Sequence, residues 1–236
     1  MTKKELFQRI VKNYIKREGI DKLLEMLDRT DFYTAPASSK YHSNYPEGLI
    51  IHTLCNYGSL IDLIGLLASQ EGCPISFDLL TKVKVGAELS KEELETINTS
   101  IGKVLFNNKL TLESVAISAL FHDFHKLNYY EEYTKSIFKG YDESGEKIYD
   151  KEHGYKIKED TFVFGIDGTN SNYVIQSCIK LNYEEALAIE NHMGYISKVG
   201  LLPSSGKAWS KSRLAALLHI ADMMAAYVYE PYKKVK

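Results

Sequence analysis

The stretch Leu120-Phe121-His122-Asp123-Phe124-His125-Lys126-Leu127-Asn128 decides how the rest of the chain is read. It closes an apolar run, Leu112, Val115, Ala116, Ile117, Ala119 and Leu120, whose spacing predicts a buried helix over 112–127. His122, Asp123, His125 and Lys126 then fall within little more than one turn. A neutral imidazole nitrogen beside a hard carboxylate oxygen suits Mn, Fe, Zn, Co or Mg. Lys126 lies four residues after His122, which places both on one helical face, where an ammonium beside a metal can hold a phosphate oxygen.

A His-Asp pair alone says little, because the dipeptide is common. Two further positions give it weight. Upstream, His52 stands in Gly48-Leu49-Ile50-Ile51-His52-Thr53-Leu54 on a strongly apolar helix predicted from about Glu47 to Ser69. His52, Asn56 and Ser59 form one polar stripe on it, and buried polar groups need partners. Downstream, Asp222 stands in Leu217-Leu218-His219-Ile220-Ala221-Asp222-Met223, on an apolar helix predicted over 214–229. A carboxylate in such surroundings costs several kcal/mol unless it is paired or bound to metal.

The ordered set His52, His122-Asp123, Asp222 on three apolar helices resembles the HD-domain metal-dependent phosphohydrolases, over roughly residues 46–230. The segment Asn182 to Gly194 is similar to members found in phage and prophage genomes, where the histidine at the place of His192 belongs to the active-site region. The resemblance implies an all-α, single HD-type helical domain over 1–236. It comprises N-terminal helices over 1–45, a core over 46–230 and an insertion at about 129–170. It also implies one divalent ion (Mn, Fe, Co, Zn, Ni or Mg) held by His52, His122, Asp123 and Asp222.

In the same comparison the relatives carry Gly-His-Gly where this chain has Ile166-Asp167-Gly168. Either Asp167 replaces that histidine as an oxygen ligand or general base, or a second metal site is absent. One metal is the expectation, and the second stays open. The implied chemistry is attack of metal-activated water on phosphorus. Lys126 offsets the developing charge, with Arg213 or Lys207 as further substrate contacts, and Asp167 or His192 moves the proton. The class acts on phosphate esters and anhydrides, often nucleotides. Tyr129, opening a tyrosine-rich segment, suits stacking on a base.

The composition agrees. At 236 residues the chain can bury a full core. With 29 basic and 31 acidic residues it has no global basic field of the kind that marks many nucleic-acid binders. Cys55, Cys73 and Cys178 match no pairing or zinc motif, and Cys55 and Cys178 read as small buried thiols, which favours a reducing, cytoplasmic setting. The N-terminus opens into an amphipathic helix rather than a signal peptide, and the run Leu60 to Ala68 is too short to span a bilayer. A soluble protein without a membrane partner is expected, and a homo-oligomer stays open.

Along the chain, apolar spacing predicts helices over 3–28, interrupted near Gly19 and resumed after an Asp21 cap. Others are expected over 76–84, over 90–106 behind a Ser90 capping box, and over 171–193 in two pieces, the second capped by Asn182 and stopped by Gly194. Residues 30–46 read as a polar, aromatic loop in which His42 is a solvated or pocket-wall histidine. A β-hairpin is expected between about Tyr133 and Tyr149, as a lid or as a decoration covering the helices. Ile196 to Trp209 reads as a flexible loop able to close over substrate.

Two other functions fit the same residues. A metal-dependent nuclease acting on single-stranded nucleic acid would use Lys135, Lys139, Lys147, Lys151, Lys156 and Lys158, although acidic residues interleave with them. A non-catalytic nucleotide sensor would keep the metal only as a structural bolt. A small-molecule nucleotide is the leading partner.

Overall fold

The axis of the fold is helix α3 (Gly48–Gln70), on which α1, α4, α5, α6 and α10 pack. The computed structural model describes residues 1–161, 167–194 and 204–230. Apolar residues surround α3 rather than forming one stripe, which is why it is buried on several sides. By length and composition α3 is apolar enough to cross a membrane, unlike the shorter run that the sequence singled out, yet most of it is buried inside the protein. Its polar stripe His52, Asn56 and Ser59 is fully buried.

The N-terminal region lies against this axis. Helix α1 (Lys3–Tyr14) starts from a Thr2/Glu5 capping box and buries Phe7, Ile10, Val11 and Tyr14. Helix α2 (Ile20–Asp28) begins one residue before the expected Asp21 cap, because Gly19 takes the N-cap place with φ 89°. A Cβ at Gly19 would stand 2.0 Å from the Cys178 carbonyl oxygen, so close approach of α2 to the later chain requires glycine. Helices α4 (Phe77–Lys84) and α5 (Lys91–Val104) start from the Ser76 and Ser90 caps. Helix α6 (Leu112–Phe121) is buried at every position except the half-buried Glu113.

After α6 comes an antiparallel hairpin, β1 (Tyr130–Tyr141) and β2 (Lys147–Ile157), the only sheet among the described residues. It is longer at both ends than the alternation of side chains suggested. Pairing runs from Tyr130 opposite Ile157 to Tyr141 opposite Lys147, with a register shift between Phe138 and Gly140. Asp142 Oδ1 holds the turn by accepting from Ser144 and from the Glu146 amide. The described chain is therefore mostly helical with one small hairpin.

Helices α7 (Asp167–Gln176) and α8 (Tyr183–Glu190) follow, α8 with the predicted cap as an Asn182/Glu185 capping box. Part of the segment read as a flexible loop is helix α9 (Ser204–Lys211), while 196–203 lie outside the described residues. Burial of Ala208 and stacking of Trp209 on His219, centroids 4.7 Å apart, outweigh the weak helix preference of its serines and glycine. Helix α10 (Arg213–Met224) starts from the Ser212 cap and runs into a π turn, Ala225–Tyr229. Cys55, Cys73 and Cys178 are free and half-buried, less enclosed than expected of core thiols.

One buried ion pair ties the two ends of this arrangement together. Arg17 donates Nη1 to Glu185 Oε2 at 2.8 Å and Nη2 to Oε1 at 3.0 Å, and Glu185 is fully buried in α8. Arg17 also reaches Glu113 and the Lys180 carbonyl. Removing one partner of a buried pair leaves an uncompensated charge. Glu185→Ala is therefore expected to cost about 3–5 kcal/mol in urea unfolding, the range for breaking such a pair. A loss below about 1 kcal/mol, the level of a surface pair, would show that the bridge carries no such weight.

Candidate metal centre

Helix α6 stops at Phe121, short of the continuous helix expected to 127. His122 caps it, Asp123 leaves helical geometry at φ −101° and ψ 17°, and Phe124–Lys126 form a single 3-10 turn. Adjacent residues on an unbroken helix point about 100° apart. The break lets His122 and Asp123 face one point, and it turns His125 and Lys126 inward with them.

Four side chains converge there from three helices distant in sequence. His52 Nε2 lies 2.9 Å from Asp222 Oδ1 and 3.4 Å from Asp123 Oδ2. His122 Nε2 lies 3.6 Å from each of those oxygens and 3.4 Å from His52 Nε2. Ligand atoms about 2.1 Å from one ion, at octahedral or tetrahedral angles, stand about 3.0–3.4 Å apart. The separations in the cluster, 2.9–3.6 Å, bracket that range.

Hydrogen bonds aim the imidazoles. His52 Nδ1 lies 2.6 Å from Glu230 Oε1, His122 Nδ1 lies 2.8 Å from the Ala119 carbonyl, and His192 Nδ1 lies 2.6 Å from the Ile189 carbonyl. Each oxygen can only accept, so each Nδ1 carries the proton and Nε2 is left toward the cluster. His192 occupies the turn after α8, which ends at Glu190 before the Gly194 stop that the sequence suggested. Its backbone carbonyl accepts from His219 Nδ1 at 2.6 Å, so His219 supports that turn.

A second group of donors lies on the other side of the Asp123 carboxylate. Asp123 Oδ1 is 3.5 Å from His192 Nε2 and 3.7 Å from His125 Nδ1, and His125 Nε2 is 3.7 Å from Asp167 Oδ2. Asp123 Oδ1 and His192 Nε2 are both buried and without a hydrogen-bond partner. Unsatisfied buried polar groups cost about 1–3 kcal/mol each, and a cation would satisfy both. The buried His52, His122, Asp123 and His192 can hold a metal ion.

The charges of the cluster are strongly coupled. Burial raises the Asp123 and Asp222 carboxyls, but the charges and hydrogen bonds around them win and hold both well below the usual range. Lys126 and His122 act on Asp123, and His122 and His52 on Asp222. Burial lowers His52, but hydrogen bonds to Asp222 and Glu230 hold it up at about 10. Burial pushes His125 well down, to the neutral form. Burial, and then repulsion by Asp123, raises Asp167.

The remaining predicted residues divide. Lys126 is buried, with Nζ 2.6 Å from Asp123 Oδ2, on a ligand oxygen and beside the place of a cation. Asp167 opens α7 at the edge of the cluster through His125, and Tyr129 sets its ring 6.3 Å from the His125 ring. Lys207 is exposed on α9. Arg213 is not brought in: Glu71, the Val104 carbonyl and the Phe106 ring hold its guanidinium. It stands nine residues before Asp222 on α10 (222 − 213), about 13 Å along the helix axis.

Two site residues went unassigned in the sequence. His125 was quoted without a role, since 3.6-residue spacing does not place it beside Asp123. Glu230 follows a run of small and aromatic residues with no local signal of burial. His42, read mainly as solvated, has both ring nitrogens buried without a partner, with its ring 4.8 Å from that of His52. Comparison of the chain with protein-family models, curated proteins and solved structures finds no match to any of the three.

Asp123→Ala removes an oxygen from both donor groups. Purified protein should then lose its bound cation by elemental analysis while far-UV circular dichroism stays helical. Retention of metal at wild-type stoichiometry would exclude the site. The pH dependence follows from His52. Its value in the folded, metal-free protein, about 10, lies above the ordinary 6.5. Its stabilisation is complete below pH 6.5 and is lost as pH rises through about 10. In chelator, the excess in melting temperature of wild type over His52→Gln should therefore shrink across that window. Below about pH 10 the metal-free imidazole carries a proton on Nε2 as well as on Nδ1, and a cation must displace the Nε2 proton, so its affinity should rise with pH.

Proposed function

We propose that the protein is a single-domain metal-dependent phosphohydrolase of the HD type, cleaving a phosphate ester or anhydride bond of a nucleotide or deoxynucleotide. The observation that carries this reading is the convergence of His52 Nε2, His122 Nε2, Asp123 Oδ2 and Asp222 Oδ1, with a buried lysine against the Asp123 carboxylate. Two imidazoles and two carboxylates suit Mn, Fe, Co, Zn, Ni or Mg. Bound there, a divalent ion would activate water near neutral pH and polarise a phosphoryl oxygen.

The side chains supply the rest. Lys126 already has its ammonium at the cluster, and with Asp123 engaged by a cation it is placed to take a phosphoryl oxygen and offset charge there. Neutral His125 and the raised carboxyl of Asp167 form a pair able to accept or donate a proton on the Asp123 Oδ1 side. His192 and Asp123 Oδ1 give a second, smaller donor set, so a second and weaker ion belongs to the reading. Arg213, held by Glu71 and the Val104 carbonyl, does not.

A nucleotide is favoured over a smaller ester by a cavity of about 440 Å³ beside His125. Tyr129, Phe124, Leu127, Met26 and Val174 give it apolar walls, while Asn128, Asn170 and Lys158 give it polar ones. That mixture suits a base and sugar. The nuclease alternative has less support, since Lys135, Lys139 and Lys156 on the hairpin are each paired with Glu152, Asp150 and Glu131.

The test is phosphate release from a panel of ribo- and deoxyribonucleotides with each metal added to chelated protein. Release with one or more metals, lost in Asp123→Ala and reduced about 10²–10⁴-fold in Asp167→Asn with the first metal retained, is the expected result. Cleavage of single-stranded nucleic acid without release from any mononucleotide would replace this reading with the nuclease. Metal binding without turnover of either would leave a sensor.

A further inference from the structure

Glu230 is a buried carboxylate that touches His52 from behind and carries none of the proposed ligand or proton-transfer roles. It closes the π turn, its amide donating to the Ala225 carbonyl five residues back at 3.0 Å. Its side chain is fully buried, and both oxygens are engaged. Oε1 accepts from His52 Nδ1 at 2.6 Å, on the side of the ring facing away from the cluster. Oε2 accepts from Ser43 Oγ, in the loop that leads into α3.

That loop is itself firmly seated. Ser43 sits at φ 46°, its carbonyl accepts from the Ala37 amide at 3.0 Å, and a Cβ on Gly48 would stand 2.0 Å from the same carbonyl oxygen. His42, His52 and Glu230 also form a trio whose donor atoms lie near one another. Yet 2.6 Å between Oε1 and Nδ1 is a charge-assisted hydrogen-bond length. Two atoms each about 2.1 Å from a shared ion would stand about 3.0 Å apart or more. The contact is therefore a hydrogen bond.

We infer that Glu230 is a positioning residue for the cation site, holding the His52 proton on Nδ1 so that Nε2 faces the metal as a donor. The inference rests on the reading of the cluster as a cation site. A carboxylate behind a ligating imidazole fixes its tautomer and orientation and strengthens it as a donor. Ser43 anchors the free oxygen of Glu230, so the carboxylate cannot swing away from the ring. The last described turn of the chain thereby acts on a histidine 178 residues earlier (230 − 52).

Co(II) titration of chelated protein, followed by its visible absorption, tests this without any substrate. Glu230→Gln keeps the shape and removes the charge, and should weaken Co(II) binding about 10–100-fold, with a changed spectrum. Its effect should pass through His52, so in a His52→Gln background the same change should add little. Wild-type affinity in a folded Glu230→Gln variant, or losses that simply add in the double variant, would overturn the inference. Should the variants fail to fold, ¹⁵N spectra of the Zn(II)-loaded wild type decide. A proton on His52 Nδ1 is expected there, and a proton on Nε2 overturns it. A wild type that binds no Co(II) would instead sink the cation site itself, a different result from binding that ignores Glu230.

Discussion

The carboxylate of Asp123 is the point on which the surrounding structure depends. It is almost fully buried, where an uncompensated charge costs several kcal/mol. Its neighbours are those that such a charge demands. Lys126 takes Oδ2 directly, His52 and His122 face the same oxygen, and His125 and His192 face Oδ1. The histidines are in turn held from behind by oxygens, those of Glu230, Ala119 and Ile189. A nest of donors around one carboxylate, with two buried polar atoms still unsatisfied, is the arrangement a cation completes.

The scaffold serves that nest by bringing distant chain segments to one place. Helix α3 contributes His52, the end of α6 His122 and Asp123, the turn after α8 His192, and α10 Asp222. Each of these helices packs on at least one of the others. The Arg17–Glu185 bridge fastens α8 to the N-terminal segment, which keeps the His192 turn in place from outside. Three stretches of irregular backbone border the cluster: the 3-10 turn after Asp123, the left-handed Ser43 and the π turn before Glu230.

The hairpin stands apart from this economy. Its strands are mostly exposed, and Lys135, Lys139 and Lys156 are balanced by acidic partners across the ladder. Only its base, through Tyr129 and Tyr130, comes near the cluster. Burial raises the Tyr130 hydroxyl to about 12, so the base of the hairpin presents neutral hydroxyls and rings to the site.

Helix positions were legible from local sequence because apolar spacing and capping residues act over a few residues. The boxes at Ser90/Glu93 and Asn182/Glu185 form as their spacing predicts. The candidate set His52, His122, Asp123 and Asp222 came from the resemblance to the HD-domain family, and the need of a polar residue inside an apolar helix for a partner agreed with it. Which partner it finds is a long-range matter. Nothing local distinguishes Arg213, taken up by Glu71 and Phe106, from an arginine at the site. The helix at 204–211 exists because Ala208 and Trp209 find a surface to pack on, which its own serines and glycine could not announce. His125 and Glu230 join the centre through a broken helix and a π turn, irregularities that regular spacing does not encode. Local chemistry in the sequence determined the helices and marked His52 and Asp222 as polar groups in need of partners. Packing alone decided their convergence with His122 and Asp123, because it requires contacts between residues up to 170 positions apart (222 − 52).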